Sequence, residues 1–220
     1  MPSSTVENYL KTLYRLQQEY EGELVPLGKL AEAVGVTAGT ATIMIKRLFE
    51  GGLVEYEARV GARLTELGER KALNVLRRHR LIELFLVEVV KLDWSEVHEE
   101  AELLEHAISD RLLSKIDDML NNPTHDPHGD PIPAASGEIV KRRLINLADC
   151  ETGPATIARI SDHDPKFLQF IDEAGLTPGK SVVIERRDEI ADTITLVVDE
   201  KRVQIGINAA NKIYILDEAV

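Results

Sequence analysis

Four prolines between residues 121 and 133 divide the chain into two parts of different character. A helix does not continue through closely spaced prolines, because proline lacks the amide donor and its ring clashes with the preceding turn. Before this segment, apolar residues recur at helical spacing; after it, short runs rich in Val, Ile and Thr predict strands. The chain is therefore expected to fold as an α+β protein of several domains.

The part after the prolines predicts a small β-barrel. Six segments carry the pattern of strands, namely Glu138–Leu144, Thr156–Ile160, Ser181–Glu185, Thr193–Val198, Arg202–Ile207 and Lys212–Ile215. A single helix, Pro165–Ala174, interrupts them. Short strands that follow one another at this density are typical of small barrels.

Residues 26–54 predict two helices joined by a tight turn. Gly35 permits the turn, Thr37 can cap the second helix, and the pair Gly51 and Gly52 ends it. Segments 53–56 and 63–65 then predict a two-stranded wing. This order is that of a winged helix-turn-helix; the alternative, a helical hairpin inside a larger fold, would not require the wing.

The second of these helices begins with small and hydroxyl side chains, which suit contacts to phosphates and base edges at the positive end of a helix. Basic residues lie one turn further on, in the wing, and on the preceding helix. The candidate DNA contacts are Lys29, Thr37, Ala38, Gly39, Thr40, Thr42, Ile43, Lys46, Arg47, Arg59 and Arg63.

Charge is distributed unevenly along the chain. Residues 1–80 hold 12 Lys and Arg against 10 Asp and Glu, whereas residues 81–130 hold 3 against 13. The formal net charge of −12 therefore hides a mildly basic N-terminal part and does not exclude DNA as a partner. It does predict weak nonspecific affinity, because phosphate contacts dominate nonspecific binding.

The lone cysteine, Cys150, excludes an intrachain disulfide. The first residues lack the basic and apolar regions of a signal peptide, and the most apolar segment, Leu81–Leu92, is short and contains two glutamates. We therefore expect a cytoplasmic protein that does not cross a membrane.

The acidic middle of the chain also carries imidazoles at helical spacing. His98, Glu102, Glu105 and His106 would project within one arc of a helix, and His79 and Glu83 repeat the spacing of four residues on the preceding helix. Flanking apolar residues place this stripe beside a buried face, where carboxylates need partners or a cation. The sequence thus predicts a divalent-metal site; the alternative is a solvated acidic helix face.

Taken in order, these segments resemble the family of metal-dependent regulators that includes the diphtheria toxin repressor and the manganese transport regulator. The resemblance is carried by Asn8-Tyr9-Leu10, the helix-turn-helix with Arg47 and Gly52-Leu53-Val54, His79–Glu83, Val97–His106 and the linker Pro127–Pro133. It implies a DNA-binding domain over 1–72, a helical dimerisation and metal-binding domain over 73–137, and an SH3-like domain over 138–220. It also implies a homodimer that represses metal-uptake genes by binding a palindromic operator when loaded with Mn²⁺ or Fe²⁺.

By this resemblance, the primary metal site takes Glu102, Glu105 and His106, with a ligand from the first helix. That ligand position is Asn8, where manganese-responsive members carry Asp, and Glu7 beside it can substitute. Glu102 stands where iron-responsive members carry Cys, so the resemblance favours Mn²⁺, with Fe²⁺ as the second choice.

The family's second site corresponds to His79, Glu83 and His98. A related branch uses a Cys-Pro-His linker, which is here Asp126-Pro127-His128, and His163 is a candidate ligand from the last domain. For His125 and His128, a solvated loop is the alternative.

The residue patterns leave two alternative functions. A metalloenzyme is disfavoured, because the zinc-protease pattern His-Glu-x-x-His lacks its second histidine at Glu102 and no paired Glu-x-x-His helices are present. A winged-helix regulator that senses an organic effector would need an apolar pocket, which a sequence does not reveal.

Overall fold

The computed structural model describes residues 3–140, 142–161 and 164–217, and their contacts form two compact units. The first unit comprises Met1–His79, Leu104–Ser109 and Pro133–Glu138. The second comprises Arg80–Leu103, Asp110–Ile132 and Ile139–Val220.

The first unit contains the helix-turn-helix and the wing. Its elements are α1 (Ser4–Glu19), α2 (Leu27–Val34), α3 (Ala38–Glu50), β1 (Val54–Glu57), β2 (Gly61–Leu64) and the first part of α4 (Glu66–Phe85). The strands β1 and β2 pair antiparallel, with Val54 opposite Leu64. The predicted order of two helices followed by a wing is confirmed.

Local chemistry explains where these helices begin and end. Gly35 ends α2 in the left-handed conformation, with φ +73°, which glycine adopts without strain. The Thr37 hydroxyl accepts a hydrogen bond from the amide of Thr40 at 3.2 Å and so caps α3. The amide of Gly68 donates to the Thr65 hydroxyl in the same way at the start of α4. The predicted Thr37 cap is therefore formed.

A single apolar core joins the helices of the first unit. Tyr9, Leu10 and Leu13 of α1 are buried in the same cluster as Ala41, Ile45 and Leu48 of α3. Since buried side chains at three- and four-residue spacing define one face of each helix, the position of α1 constrains that of α3.

The second unit combines short helices with a sheet. After the end of α4, a π-helical turn (Leu86–Val90) leads to α5 (Val97–Leu104) and α6 (Asp110–Met119). The sheet segment comprises β3 (Leu144–Asn146), β4 (Gly153–Ile160), α7 (Pro165–Glu173), β5 (Ser181–Asp188), β6 (Thr193–Val198), β7 (Lys201–Gly206), α8 (Ile207–Ala210) and β8 (Ile213–Leu216).

Within the described residues, six antiparallel strands form one sheet in the order β3-β8-β4-β5-β6-β7. Alternate residues such as Ile194, Leu196 and Val198 of β6 point into a core that α7 covers with Leu168 and Ile171. The α+β, SH3-like character predicted for this region is confirmed.

One predicted strand is wrong. Residues 138–140, which the structure describes, form no strand, and Leu144 begins β3 instead of ending a strand. The cause is a turn, since the carbonyl of Glu138 accepts the amide of Ala134. The adjacent β-branched residues Ile139 and Val140 resemble the start of a strand, but Val140 is 59% exposed and has no core to enter.

None of the helices in residues 3–140, 142–161 and 164–217 combines the length and the apolar character that crossing a lipid bilayer requires.

The linker packs closely at Gly129. Its φ is +85°, and a Cβ there would lie 2.0 Å from the carbonyl oxygen of Ala158. We predict that Gly129→Ala lowers the free energy of unfolding of the protein by roughly 2–4 kcal/mol, from backbone strain plus steric overlap. Gly179 is the matched control, because it has a similar φ of +88° but open space around the Cβ position. Gly179→Ala should cost about 1 kcal/mol. Urea denaturation measures both, and equal losses would contradict the close approach.

Candidate metal centre and DNA-binding surface

The first turn of α1 contacts the segment that follows α5, and both lie in the first unit. The His106 ring is the centre of this contact, with Nδ1 2.6 Å from Oε2 of Glu7 and Nε2 2.7 Å from Oδ1 of Asn8. A carboxylate in the first turn of a helix also complements the helix dipole. One imidazole thus joins two polar side chains of α1 to residue 106.

Glu105 lies beside this imidazole and is fully buried. Its Oε1 accepts from Nζ of Lys11 at 2.6 Å, and its Oε2 lies 2.7 Å from Nδ1 of His79. Oε1 also lies 3.3 Å from Nε2 of His106. These five residues, Glu7, Asn8, His79, Glu105 and His106, are called the primary cluster below.

The primary cluster fits a divalent metal ion in its chemistry. It offers carboxylate oxygens, an amide oxygen and imidazole nitrogens, which are the donors that Mn²⁺ and Fe²⁺ accept. Both ring nitrogens of His106 face oxygen acceptors, although a neutral imidazole carries a single N–H. The His106 ring is therefore placed to share a cation with the oxygens of Glu7 and Asn8.

A second group of ligand-type side chains lies in the second unit. Glu83 of α4 is almost fully buried, and its Oε1 lies 3.0 Å from Nδ1 of His98 on α5. Glu102, one turn further along α5, has its Oε1 3.8 Å from Nε2 of His98. His79 precedes Glu83 by one turn of α4.

The proline-rich linker contributes two more buried polar side chains to the second unit. Oδ1 of Asp126 accepts the amides of His128 and Asp130, each at 2.9 Å. Burial, followed by the carboxylates of Asp130 and Glu83, raises the pKa of Asp126 well above its usual value, although Arg80 opposes this. A nearby cation stabilises the ionised form of a carboxyl group in such surroundings.

His128 is fully buried, and its ring centroid lies 5.2 Å from that of Trp94. A solvated loop is therefore wrong as a description of His128. His125 is half-buried, with Nδ1 3.0 Å from a guanidinium nitrogen of Arg142. His163 lies outside the described residues, and its proposed role as a ligand stays a prediction.

The helix expected to carry His98, Glu102, Glu105 and His106 ends before the last two of these residues. Helix α5 ends at Leu104, whose carbonyl accepts the amides of Ala107 and Ile108, so Glu105 and His106 lie in the turn that follows. His98 pairs with Glu83 in the second unit, whereas His106 contacts α1 in the first. Helical periodicity was extended two residues too far.

Sequence reasoning missed Lys11. It follows Glu7 by four residues on α1, so both side chains lie on one helix face, and this spacing was the available signal. Its partner, Glu105, is 94 residues away, and a pattern along one helix does not reveal that pairing.

The start of α3 is exposed, as expected for a DNA-binding surface. Thr37, Ala38, Gly39 and Thr40 are exposed, and Ile43 is 73% exposed. Lys46 and Arg47 are exposed one turn further on, while Thr42 is half-buried and donates to the carbonyl of Ala38. An exposed isoleucine among small residues leaves room for close approach to another surface.

The remaining basic candidates lie on α2 and in the wing. Lys29 and Arg63 form exposed ion pairs with Glu32 and Glu55, at 3.1 Å and 2.7 Å. Arg59 is exposed in the wing turn, with a positive φ of +68°. Exposed ion pairs are weak, so these guanidinium and ammonium groups can exchange partners.

Three family models match this chain. Residues 1–62 match the iron dependent repressor N-terminal DNA binding domain, and residues 65–134 match the iron dependent repressor metal binding and dimerisation domain. Residues 145–216 match the FeoA domain.

Individual relatives agree with these matches. The diphtheria toxin repressor of Corynebacterium efficiens is 35% identical over 192 residues, which cover 82% of each chain. The iron-dependent repressor IdeR of Mycobacterium leprae is 30% identical over 82% of this chain and 84% of its own.

Solved structures share the whole fold. A manganese-dependent transcriptional repressor in complex with manganese is 40% identical, with a TM-score of 0.86, and covers 96% of this chain and 99% of its own. ScaR with bound Zn²⁺ is 32% identical, with a TM-score of 0.77, over 97% of this chain and 99% of its own.

Proposed function

The chain belongs to the iron-dependent repressor family, and from that premise we propose that it is a manganese-responsive repressor of metal-uptake genes. Members of this family are metal-dependent DNA-binding transcriptional repressors, and this chain is one of them. It is not an enzyme, and a divalent metal is its cofactor. Membership of this family disfavours both the metalloenzyme and the sensor of an organic effector.

The observation that carries the proposal is the position of His106 between Glu7 and Asn8. We assign to the first metal the ligands Glu7, Asn8, Glu105 and His106, with Glu102 added by family resemblance. We assign to a second metal His79, Glu83 and His98, with Asp126, His128 and His163 as further candidates. His79 contacts Glu105, so it is a candidate for either site.

The metal, when bound, supplies the positive charge that the buried carboxylates of these clusters require. Glu7 and Asn8 tie α1 to His106, and α1 shares its apolar core with α3. Holding α1 in one position therefore also holds α3, the helix that we assign to DNA recognition, in one position. A corepressor acts by binding more tightly to the state in which α1 is docked than to the state in which it is undocked, and so shifts the equilibrium towards the docked state.

We propose a homodimer formed through the helical segment. Residues 65–134 match a domain described as metal binding and dimerisation, and several large apolar side chains in this segment are exposed. They are Leu67, Val89, Val90, Leu92, Leu103, Leu104, Leu112 and Met119. A two-fold dimer presents two recognition helices and so implies a palindromic operator in double-stranded DNA.

Because its partner is DNA, we place its action in the cytoplasm. The three-domain division at residues 72 and 137 stays a prediction.

The choice of Mn²⁺ over Fe²⁺ depends on Glu102. An oxygen donor at this position favours a hard cation, whereas the thiolate of the iron-responsive members favours softer ones. The 40% identical structure with manganese supports this choice, although the family also contains IdeR.

The first prediction concerns His106. His106→Ala should reduce Mn²⁺-dependent operator affinity roughly 100-fold, because α1 loses its link to residue 106. Fluorescence anisotropy measures this on a duplex selected from random DNA by the wild-type protein in Mn²⁺. His125→Ala is the control, because His125 lies in the linker and contacts Arg142. Circular dichroism and gel filtration should show both variants folded and dimeric. An unchanged response of His106→Ala to Mn²⁺ would refute the site assignment.

Arg47 gives a second prediction. As an exposed cation of α3, it should contact a phosphate and not a base. Arg47→Ala should weaken selected and unrelated duplexes alike, and lower the slope of log affinity against log salt by about one. Loss of affinity for the selected duplex alone would instead make Arg47 a base-reading residue.

Glu102 gives a third prediction. Glu102→Cys should weaken the response of operator binding to Mn²⁺ and strengthen that to Fe²⁺, because it replaces a hard donor by a soft one. Glu100→Cys, on the exposed part of the same helix, is the control for introducing a thiol. The comparison requires anaerobic titrations with both ions, and an unaltered metal preference in Glu102→Cys would contradict the role of this residue.

A further inference from the structure

Lys11 is a buried cation in contact with the primary cluster through Glu105. It is 5% exposed, and its Nζ lies 2.6 Å from Oε1 of Glu105. Lysine is rarely buried unless its ammonium group is paired. Its position on α1, one turn after Glu7, directs the side chain to the same part of the first unit as the metal ligands.

Glu105 already has partners on both oxygens. Oε1 accepts from Lys11, and Oε2 faces Nδ1 of His79. Because the carboxylate is fully buried, water does not solvate its charge, and the Lys11 ammonium is the cation closest to it among the contacts described above. The chain therefore neutralises a proposed metal ligand by itself.

We propose that Lys11 is a built-in competitor of the metal ion and that it sets the metal concentration to which the repressor responds. The ammonium group stabilises Glu105 in the metal-free protein and gives up this carboxylate, in whole or in part, when a divalent cation binds. This inference rests on the proposed function, because it takes Glu105 as a metal ligand.

Simple electrostatics supports a competition. An ammonium group and a divalent cation that share one carboxylate lie a few ångströms apart in a site with little water, where like charges repel strongly. Metal binding must therefore overcome both this repulsion and the loss of the Lys11–Glu105 ion pair. The benefit to the protein is that metal-free Glu105 is never a buried charge without a partner, which is a costly arrangement.

A purely structural role for Lys11 predicts the opposite effect on metal affinity. If the ion pair only docks α1 against residue 105, its removal loosens α1, separates Glu7 and Asn8 from His106, and weakens metal binding. The two roles therefore differ in the sign of the change in Kd.

The test is Mn²⁺ binding to the full-length protein, followed by the electron paramagnetic resonance signal of free Mn²⁺. Lys11→Met should bind Mn²⁺ at least about tenfold more tightly than the wild type, a change equivalent to ~1.4 kcal/mol. Lys11→Arg keeps the charge and should stay near the wild type. Lys115→Met removes an exposed lysine of α6 and should also leave the affinity unchanged.

Thermal unfolding provides a second readout. Without metal, Lys11→Met should melt below the wild type, because Glu105 loses its cation, and Mn²⁺ should raise its melting temperature more than that of the wild type. If Lys11→Met does not fold, Lys11→Gln replaces it in both measurements. Equal or weaker Mn²⁺ binding by the neutral variants overturns the competition.

The double variant Lys11→Met/His106→Ala separates this inference from the proposed function. If the double variant no longer shows the tighter Mn²⁺ binding of Lys11→Met, that tighter binding takes place at the primary cluster. If His106→Ala does not weaken Mn²⁺ binding in either background, the proposed site itself is wrong and the competition falls with it. If His106→Ala weakens binding but Lys11→Met does not tighten it, the site stands and only the competition is overturned.

Discussion

The contact between His106 and the first turn of α1 is the interaction on which the rest of the first unit depends. It joins Glu7 and Asn8 to a segment about 100 residues later in the chain, and α1 in turn shares a core with the recognition helix α3. Apolar packing transmits a change at one helix to its neighbours, because a close-packed core does not deform continuously. In the proposed mechanism, a polar contact of three side chains thereby controls the position of the helix that we assign to DNA binding.

Buried charge explains why such a contact responds to metal. Carboxylates that leave water need a partner, and the acidic middle of this chain provides more carboxylates than lysines and arginines. Lys11 forms an ion pair with Glu105, and Arg80 lies 3.5 Å from Asp126, so the chain itself supplies part of the positive charge that these carboxylates require. Burial, Asp130 and Glu83 raise the pKa of Asp126, although Arg80 opposes this. A divalent cation is the natural complement to such clusters, and in the proposed mechanism it also holds α1 in place.

Local patterns predicted most of the fold but little of how the ligand-type side chains pair. The helix-turn-helix follows from Gly35 and the Thr37 cap, which act within a few residues, and the strand pattern of β6 follows from simple alternation. The end of α5 at Leu104, the turn at Glu138 and the pairing of Lys11 with Glu105 depend on contacts distant in sequence or on competing hydrogen bonds. Resemblance to a known family named the ligand-type residues, but the burial of His128 needed coordinates.

The central claim is that metal and operator bind to the same docked state of α1. Thermodynamic linkage then requires that each ligand strengthens the other by an equal factor. The most direct test measures the Kd for Mn²⁺ with and without the selected duplex, and the Kd for the duplex with Mn²⁺ and with chelator. We expect two equal coupling factors of roughly 100. Metal affinity that does not change when the operator is bound would contradict it.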